Sequence, residues 1–515
     1  ISPIDNEETY NNDVVSEILP GAYNCLYIGS LKGGVKELNL TSGKLRDLLL
    51  KDEDNESIYC RTLLFATDNE LWIGTESGAY IYNLRTGKYT HLRSSEYDPY
   101  SLSDNAIYSF CKDREDGIWI GSYFGGVNYY PRSYTHFEKY YPKGEENSLH
   151  GKRVREFCRD NYGVLWIGTE DGGLNRFNLN TKEFSFFAPS AGFTNIHGLC
   201  LVDDKLWVGT FSKGLKIIDT RTGTVLKTYQ KNSSPRSLID NSIFAICRTA
   251  TGDIYLGTMF GLVKYNKQSD DFDRIPELNG KFVYDIKEDS GGNIWLATYA
   301  NGAYCYNVND RKWKNYVHDE KDTTSLSYNK VSSIFEDSYH RIWLTTQGGG
   351  FCLFHPESET FTSYNSTDGL PSDVVYQIVE DKDGQLWLTT INGLVYFQPK
   401  TETMKVYTTA NGLLGDQFNY RSSFEDENGM IYFGGIDGFI AFNPKSFSEN
   451  KNLPTVVITD FLLFNKEVYA DEPNSPLEKN ITFSDKIVLR ADQNSFSFRI
   501  SALGYQAPGM NKLMY

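Results

Sequence analysis

Ten times along the chain a short word recurs in which an apolar residue, an aromatic one and a second apolar one are followed by glycine or a small residue. It reads LYIGS at Leu26, LWIGT at Leu71, IWIGS at Ile118, LWIGT at Leu165 and LWVGT at Leu206. It continues as IYLGT at Ile254, IWLAT at Ile294, IWLTT at Ile342, LWLTT at Leu386 and IYFGG at Ile431. The aromatic positions are spaced 40 to 48 residues apart, and seven of the eight tryptophans occupy this position. A near-constant period of that length marks a repeat architecture. The repeat from Ser101 shows the elements. Ala106 to Cys111 alternates as an inner strand, and Asp113 to Gly117 is a hairpin turn. Ile118 to Ser122 is the second strand, and Val127 to Tyr130 the third, entered through Gly125-Gly126. After a turn at Pro131-Arg132-Ser133, Thr135 to Tyr140 is a more polar outer strand. Four short antiparallel strands repeated in this way predict an all-β fold of propeller blades. Each third strand starts after a glycine, from Gly34 to Gly438, where positive φ is expected.

Ten repeats exceed the four to eight blades of ordinary rings. The tenth runs through Phe442-Asn443-Pro444 and leaves for Leu453-Pro454 without an outer strand. A seven-bladed ring over repeats four to ten would begin near Thr135, with Phe137 to Tyr141 filling that gap. The expected division is residues 1–134 as the last three blades of a first propeller and 135–449 as a seven-bladed second one. Residues 450–515 form the start of a β-sandwich, because Val456 to Phe461 and Ser495 to Ile500 alternate without the repeat word.

Composition narrows the function. The net charge of -16 argues against a nucleic-acid partner, which needs clustered Lys and Arg. No apolar run is long enough to span a bilayer as a helix. The opening ISPIDNEETY is polar and shows no leader pattern, and compartment is not read from it. Cys111, Cys158, Cys200 and Cys247 recur at one position of neighbouring repeats and are expected as small buried residues rather than as disulfides or metal ligands. The Asp-rich turns lack the later Glu of a calcium loop and are read as hairpins.

The repeat from Asp160 to Phe177, with DNYGVLWIGTEDGGLNRF, resembles the two-component regulator propeller repeat. Ser495 to Tyr505, with the closing Asn511 to Tyr515, resembles the triple-tyrosine domain that follows such propellers. Together they resemble the periplasmic sensor region of a Bacteroides-type hybrid two-component system. That resemblance implies two seven-bladed propellers, an Ig-like sandwich, a membrane helix, and a histidine kinase with a response regulator and a DNA-binding part. It implies a periplasmic fragment that binds an oligosaccharide from a complex glycan and controls carbohydrate-utilisation genes. It further implies dimerisation through the sandwich, no enzymatic activity in the fragment itself, and membrane attachment only through a helix outside this sequence.

The face made by the loops between second and third strands is the expected ligand surface, since loops on a rigid scaffold carry binding. Its candidates are Tyr123, Phe124, Glu170, Asp171, Phe211, Lys213, Phe260, Tyr299, Gln347, Asn392 and Asp437. Arg153, Arg155 and Arg421, at the heads of inner strands, are candidates for an acidic sugar's carboxylate or sulfate. No cofactor and no metal are expected: zinc spacing, a serine-nucleophile motif and a phosphate-cradling loop are absent from the sequence. The alternatives are a propeller enzyme, a lyase or hydrolase acting on a glycan or small molecule, and a protein-binding scaffold.

Overall fold

A computed structural model describes residues 13–131, 137–144, 147–447 and 455–504. Arg132, Ser133, Thr135, Asn450, Tyr505 and the Asn511–Tyr515 pentapeptide lie outside the described residues. The chain divides into two compact units, residues 135–448 and residues 1–134 with 449–515. All strand pairings are antiparallel. Each sheet is named here by the aromatic residue of its repeat word.

The unit of residues 135–448 holds seven four-stranded sheets, from the Trp166 sheet to the Tyr432 sheet. Six of them are built from four consecutive strands. The seventh is not: Phe418–Glu425, Ile431–Gly435 and Phe439–Phe442 are joined by Glu138–Tyr140, from the start of the unit. Glu138 pairs with Ala441, Lys139 with Ile440 and Tyr140 with Phe439. Each inner strand packs beside the next, and Val154–Arg159 of the first sheet packs beside Phe418–Glu425 of the last, so the ring is closed. This segment, read from sequence both as the outer strand of the Trp119 sheet and as the strand filling the gap of the tenth repeat, thus lies in the Tyr432 sheet. Among the described residues the Trp119 sheet has three strands, Ile107–Lys112, Ile118–Ser122 and Val127–Tyr130.

The repeat word is buried because it is the second strand, flanked on both sides within its sheet and covered on both faces. Leu165, Trp166 and Ile167 have no exposed surface. Two polar devices recur around it. In five sheets an aspartate six residues upstream accepts the indole N–H: Asp113 from Trp119 at 3.0 Å, Asp160 from Trp166 at 2.8 Å, Asp289 from Trp295 at 2.9 Å, Asp337 from Trp343 at 2.8 Å and Asp381 from Trp387 at 2.9 Å. The other oxygen of Asp160 accepts from the backbone of Tyr162 and Val164, so one carboxylate shapes the turn and satisfies the buried indole. These are the hairpin turns expected from the Asp-rich motifs. The second device is the hydroxyl that ends the word. Thr298 Oγ1 donates to the Gly302 carbonyl at 2.6 Å and accepts from Asn301 N. Gly302 sits at φ 72°, and a Cβ there would collide with the Tyr316 carbonyl.

The other unit holds the Tyr27, Trp72 and Trp119 sheets and a small sheet of Thr455–Leu463, Lys466–Glu467 and Phe496–Leu503. Phe461, Leu477 and Ile481 form the small core beside that last sheet.

The repeated cysteines need a correction. Cys158, Cys200 and Cys247 are partly buried, and burial pushes each thiol pKa up, Cys247 to about 11. Cys111 is exposed, because it lies on the inner strand that ends the run of three sheets.

Candidate functional site

Every inner strand of the ring opens with a β-bulge. Val154 and Glu156 pair with consecutive residues Thr169 and Gly168, which leaves Arg155 as the extra residue. The same shift leaves His197, Phe244, Tyr284, Ser332 and Tyr376 unpaired in the next five sheets. A bulge redirects the side chain of its extra residue. Here it brings side chains from different sheets together at the centre of the ring. His197 lies 4.6 Å from Phe244 between ring centroids, Phe244 5.9 Å from Tyr284, and Tyr284 5.2 Å from Tyr420. The last inner strand is wider still. Phe418 pairs with Gly435 and Ser423 with Phe433, so four residues, Asn419 to Ser422, stand opposite Gly434 alone. Within that excursion Arg421 has φ 55°.

The axial layer carries charge. Arg155 is completely buried. Its guanidinium donates to the Tyr420 carbonyl, lies 3.3 Å from the centre of the Tyr420 ring and donates from Nε to His197 Nδ1 at 3.1 Å. Glu170 Oε1 is 3.9 Å away. Arg421 Nε pairs with Asp285 at 3.0 Å, and its Nη1 lies 3.6 Å from Glu156 Oε1. Burial opposes the charge on Arg421, but Glu156 and Asp285 outweigh it and hold its pKa up. Burial lowers the pKa of Arg155 and, with both arginines nearby, holds that of His197 well below its usual range. Burial also pushes the Glu156 carboxyl from 4.5 up to about 7, against the pull of Arg421 and then Arg155. Arg155 Nη2, Glu156 Oε1, Gln347 Nε2, Gln377 Oε1 and Ser422 Oγ are buried without a hydrogen-bond partner within the described residues.

Arg155 and Arg421, expected at a strand head open to an acidic sugar, are therefore inside the ring. The bulge turns them to the axis, where protein carboxylates, carbonyls and rings take up their donors. Arg153 is exposed, and its backbone N–H donates to Asp171. Asp171 also accepts from Lys152 N, so its carboxylate caps the entry to the inner strand.

The remaining candidates divide by location. An aromatic row runs from the axis to the loop face. Phe211 lies 5.8 Å from His197 and 6.2 Å from Phe244; Phe244 lies 4.5 Å from Phe282, and Phe282 stacks on Tyr299 at 5.4 Å and 19°. Phe211 and Tyr299 are about two-fifths exposed. Lys330 Nζ sits 4.3 Å over the Tyr299 ring, and Gln347 N donates to the Lys330 carbonyl. Lys213 is exposed next to Phe211, and its N–H donates to Thr210 Oγ1. Glu170 joins the row's axial end through Arg155 and Asn419 Nδ2, the latter at 3.4 Å. Phe260 and Asn392 are exposed on their own loops, and Asn392 Nδ2 donates to the Pro371 carbonyl. Asp437 is exposed at a cavity of about 10 Å³, room for one water, beside Leu414, Gln417 and Phe433. Tyr123 and Phe124 belong to the other unit. There Tyr123 stacks on Tyr108 at 5.0 Å and meets Phe124 edge-on at 4.4 Å, while Arg61 covers the opposite ring at 4.9 Å.

Sequence reasoning missed His197, Phe244, Phe282, Tyr284 and Tyr420. For His197, Phe244 and Tyr284 the signal was a column, the residue after the first β-branched position of the inner strand; Phe282 precedes that position and Tyr420 lies in the wide excursion. The wide excursion was also readable, since eight residues separate Phe418 from Asp426 where six separate Val154 from Asp160. Among the described residues, no cluster of His, Cys, Asp and Glu has the arrangement to hold a metal ion. No described helix is long and apolar enough to cross a membrane.

Comparison with known proteins places these repeats. The family model described as "Two component regulator propeller" matches residues 101–124, 148–171, 277–300, 325–348 and 369–392, so the chain carries these repeats. A protein named Histidine kinase P4 from Formosa agariphila is 28% identical over 330 residues, which is 62% of this chain and 24% of that protein. The chain thus spans about a quarter of the length of this curated relative. The extracellular domain described as that of a hybrid two component system, BT4673 of B. thetaiotaomicron, aligns over 99% of this chain and 70% of its own with a TM-score of 0.51 and 20% identity. That likeness is one of fold.

Proposed function

We propose that this chain is the extracytoplasmic sensing portion of a hybrid two-component signalling protein and that the seven-sheet ring binds an oligosaccharide. The regulator propeller repeats and the relative named as a histidine kinase support the signalling reading. In this reading the fragment lies in the periplasm, is not itself an enzyme, and relays occupancy to a kinase elsewhere in the parent protein. The three sheets before Tyr134 are the end of a further propeller, and the C-terminal sheet begins an Ig-like sandwich through which two copies associate.

The observation that carries the binding site is the aromatic row from Phe211 through Phe244 and Phe282 to Tyr299. Its outer rings, Phe211 and Tyr299, are partly exposed, and aromatic rings suit the C–H faces of sugars. Gln347, Lys213 and Lys330 flank it with hydrogen-bonding groups for hydroxyls. The two axial arginines are engaged internally and take no part in binding at this face. Binding acts on the output only through a difference in affinity between two domain arrangements.

A thermal-shift screen of neutral and acidic plant and host oligosaccharides, followed by calorimetry, tests the proposal. A saturable hit recovered unchanged is expected, with Tyr299→Ala and Phe211→Ala each weakening it about tenfold, or about 1.4 kcal/mol. A hit that is consumed, or one that both variants bind as tightly as the natural chain, overturns it.

A further inference from the structure

We infer that Arg421 is an axial clasp: with Arg155 it fastens the last sheet of the ring to the first and to sheets across the axis, so that closure rests on central side chains as well as on the rim. At the rim only three residue pairs join the strand Glu138–Tyr140 to Phe439–Phe442. At the centre, Arg421 leaves the Tyr432 sheet and finds its partners on three others. It donates to the Phe244 carbonyl of the Tyr255 sheet at 2.6 Å, reaches the Tyr284 carbonyl and Asp285 of the Trp295 sheet at 3.4 and 3.0 Å, and faces Glu156 of the Trp166 sheet at 3.6 Å. Arg155 crosses in the opposite sense, from the Trp166 sheet to the carbonyl and ring of Tyr420 in the Tyr432 sheet. The first and last sheets are therefore tied reciprocally.

Two further observations set Arg421 apart from a residue that fills space. It has a left-handed backbone, which a residue with a Cβ adopts only where its surroundings over-determine it. And the strand that presents it carries two residues more than its counterparts, which is what lifts the guanidinium into the middle of the ring. A planar fork of fixed donors can satisfy several acceptors in different directions; an ammonium on a flexible stem does so poorly. Asp285 completes the arrangement, since its second oxygen accepts from Ile334 N at 3.1 Å and carries the tie on to the Trp343 sheet.

The test is hydrogen exchange read by mass spectrometry on the whole chain with Arg421→Gly. Glycine keeps the left-handed backbone at no steric cost, so only the side chain is lost. The amides of Glu138–Tyr140, Val154–Arg159 and Phe418–Glu425 are expected to exchange at least about tenfold faster, while those of Glu70–Thr75, in the other unit, keep their rate. Methylguanidinium at millimolar concentration is expected to restore protection at those three strands, and urea at the same concentration is not. Should Arg421→Gly yield no folded protein, Arg421→Lys is read the same way, with smaller but equally localised acceleration expected. Unchanged exchange at the seam, or equal acceleration in all seven sheets, overturns the clasp.

Discussion

Replacing Glu156 by glutamine should make the protein more stable at pH 8 and leave it unchanged near pH 4. Glutamine is close in shape to the protonated acid and carries no charge. Burial raises the Glu156 pKa from 4.5 to about 7, with Arg421 and then Arg155 pulling it back only in part. The folded state therefore holds this proton more tightly than the unfolded chain. A carboxyl raised in this way contributes stability that is fully present below pH 4.5 and is lost as pH rises through 7. At 1.36 kcal/mol for each unit, the loss by pH 8 is about 3 kcal/mol. The glutamine variant does not suffer it. The assay is urea unfolding of both proteins across pH 4 to 8, followed by tryptophan fluorescence, with the difference between them plotted against pH. The difference cancels the titration of the other carboxylates. It should be near zero at pH 4 and rise to about 3 kcal/mol in favour of glutamine. A difference that does not change with pH refutes the reasoning. So does a glutamine variant less stable than the natural protein at pH 8, which would mean that the attraction of Arg421 at 3.6 Å outweighs the cost of burying the carboxylate.

Asp337→Ala removes an acceptor shared by Trp343 Nε1, Arg341 Nε and the backbone of Tyr339 and Arg341. It should cost about 3 to 5 kcal/mol and shift the Trp343 emission, both measurable in denaturant titrations. Gly302→Ala must hold φ 72° and move its Cβ off the Tyr316 carbonyl, so a loss of about 3 kcal/mol in thermal unfolding is expected. Deleting residues 137–141 exposes the edge of Phe439–Phe442 and should convert a single species into larger associates by light scattering, because an unpaired apolar edge recruits other strands.

Much of the fold was legible because the repeat word is a local signal repeated ten times. Trp166 and Trp343 are fully buried for the reason their apolar neighbours suggest: they lie in the second strand of a four-stranded sheet. The site was less legible because it depends on where bulges point. Arg155 and Val154 are adjacent in sequence, yet one goes to the axis and the other between sheets, and alternation alone does not say which residue is extra. Arg421 was misplaced for the same reason. Glu138–Tyr140 follows its own repeat in sequence but pairs with a strand about 300 residues later; propensity does not see this, and what pointed to it was the outer strand missing from the tenth repeat. The aspartate six residues before five of the tryptophans was visible as a turn, and its second duty toward the indole emerged only from the geometry.

The rim seam also decides how the ring would yield to force. Its two strands run antiparallel, with Glu138 opposite Ala441 and Tyr140 opposite Phe439. Residue 137 on entry and residue 442 on exit therefore stand side by side, and the Phe137 and Phe442 rings are 5.1 Å apart. Tension between the flanking segments would not slide these strands along each other, which would strain all their bonds at once. It would peel them from one end, breaking one bond after another, the mechanically softer geometry. The ring is thus built so that a pull on its two ends is felt first at a single blade, the one whose inner strand carries Arg421.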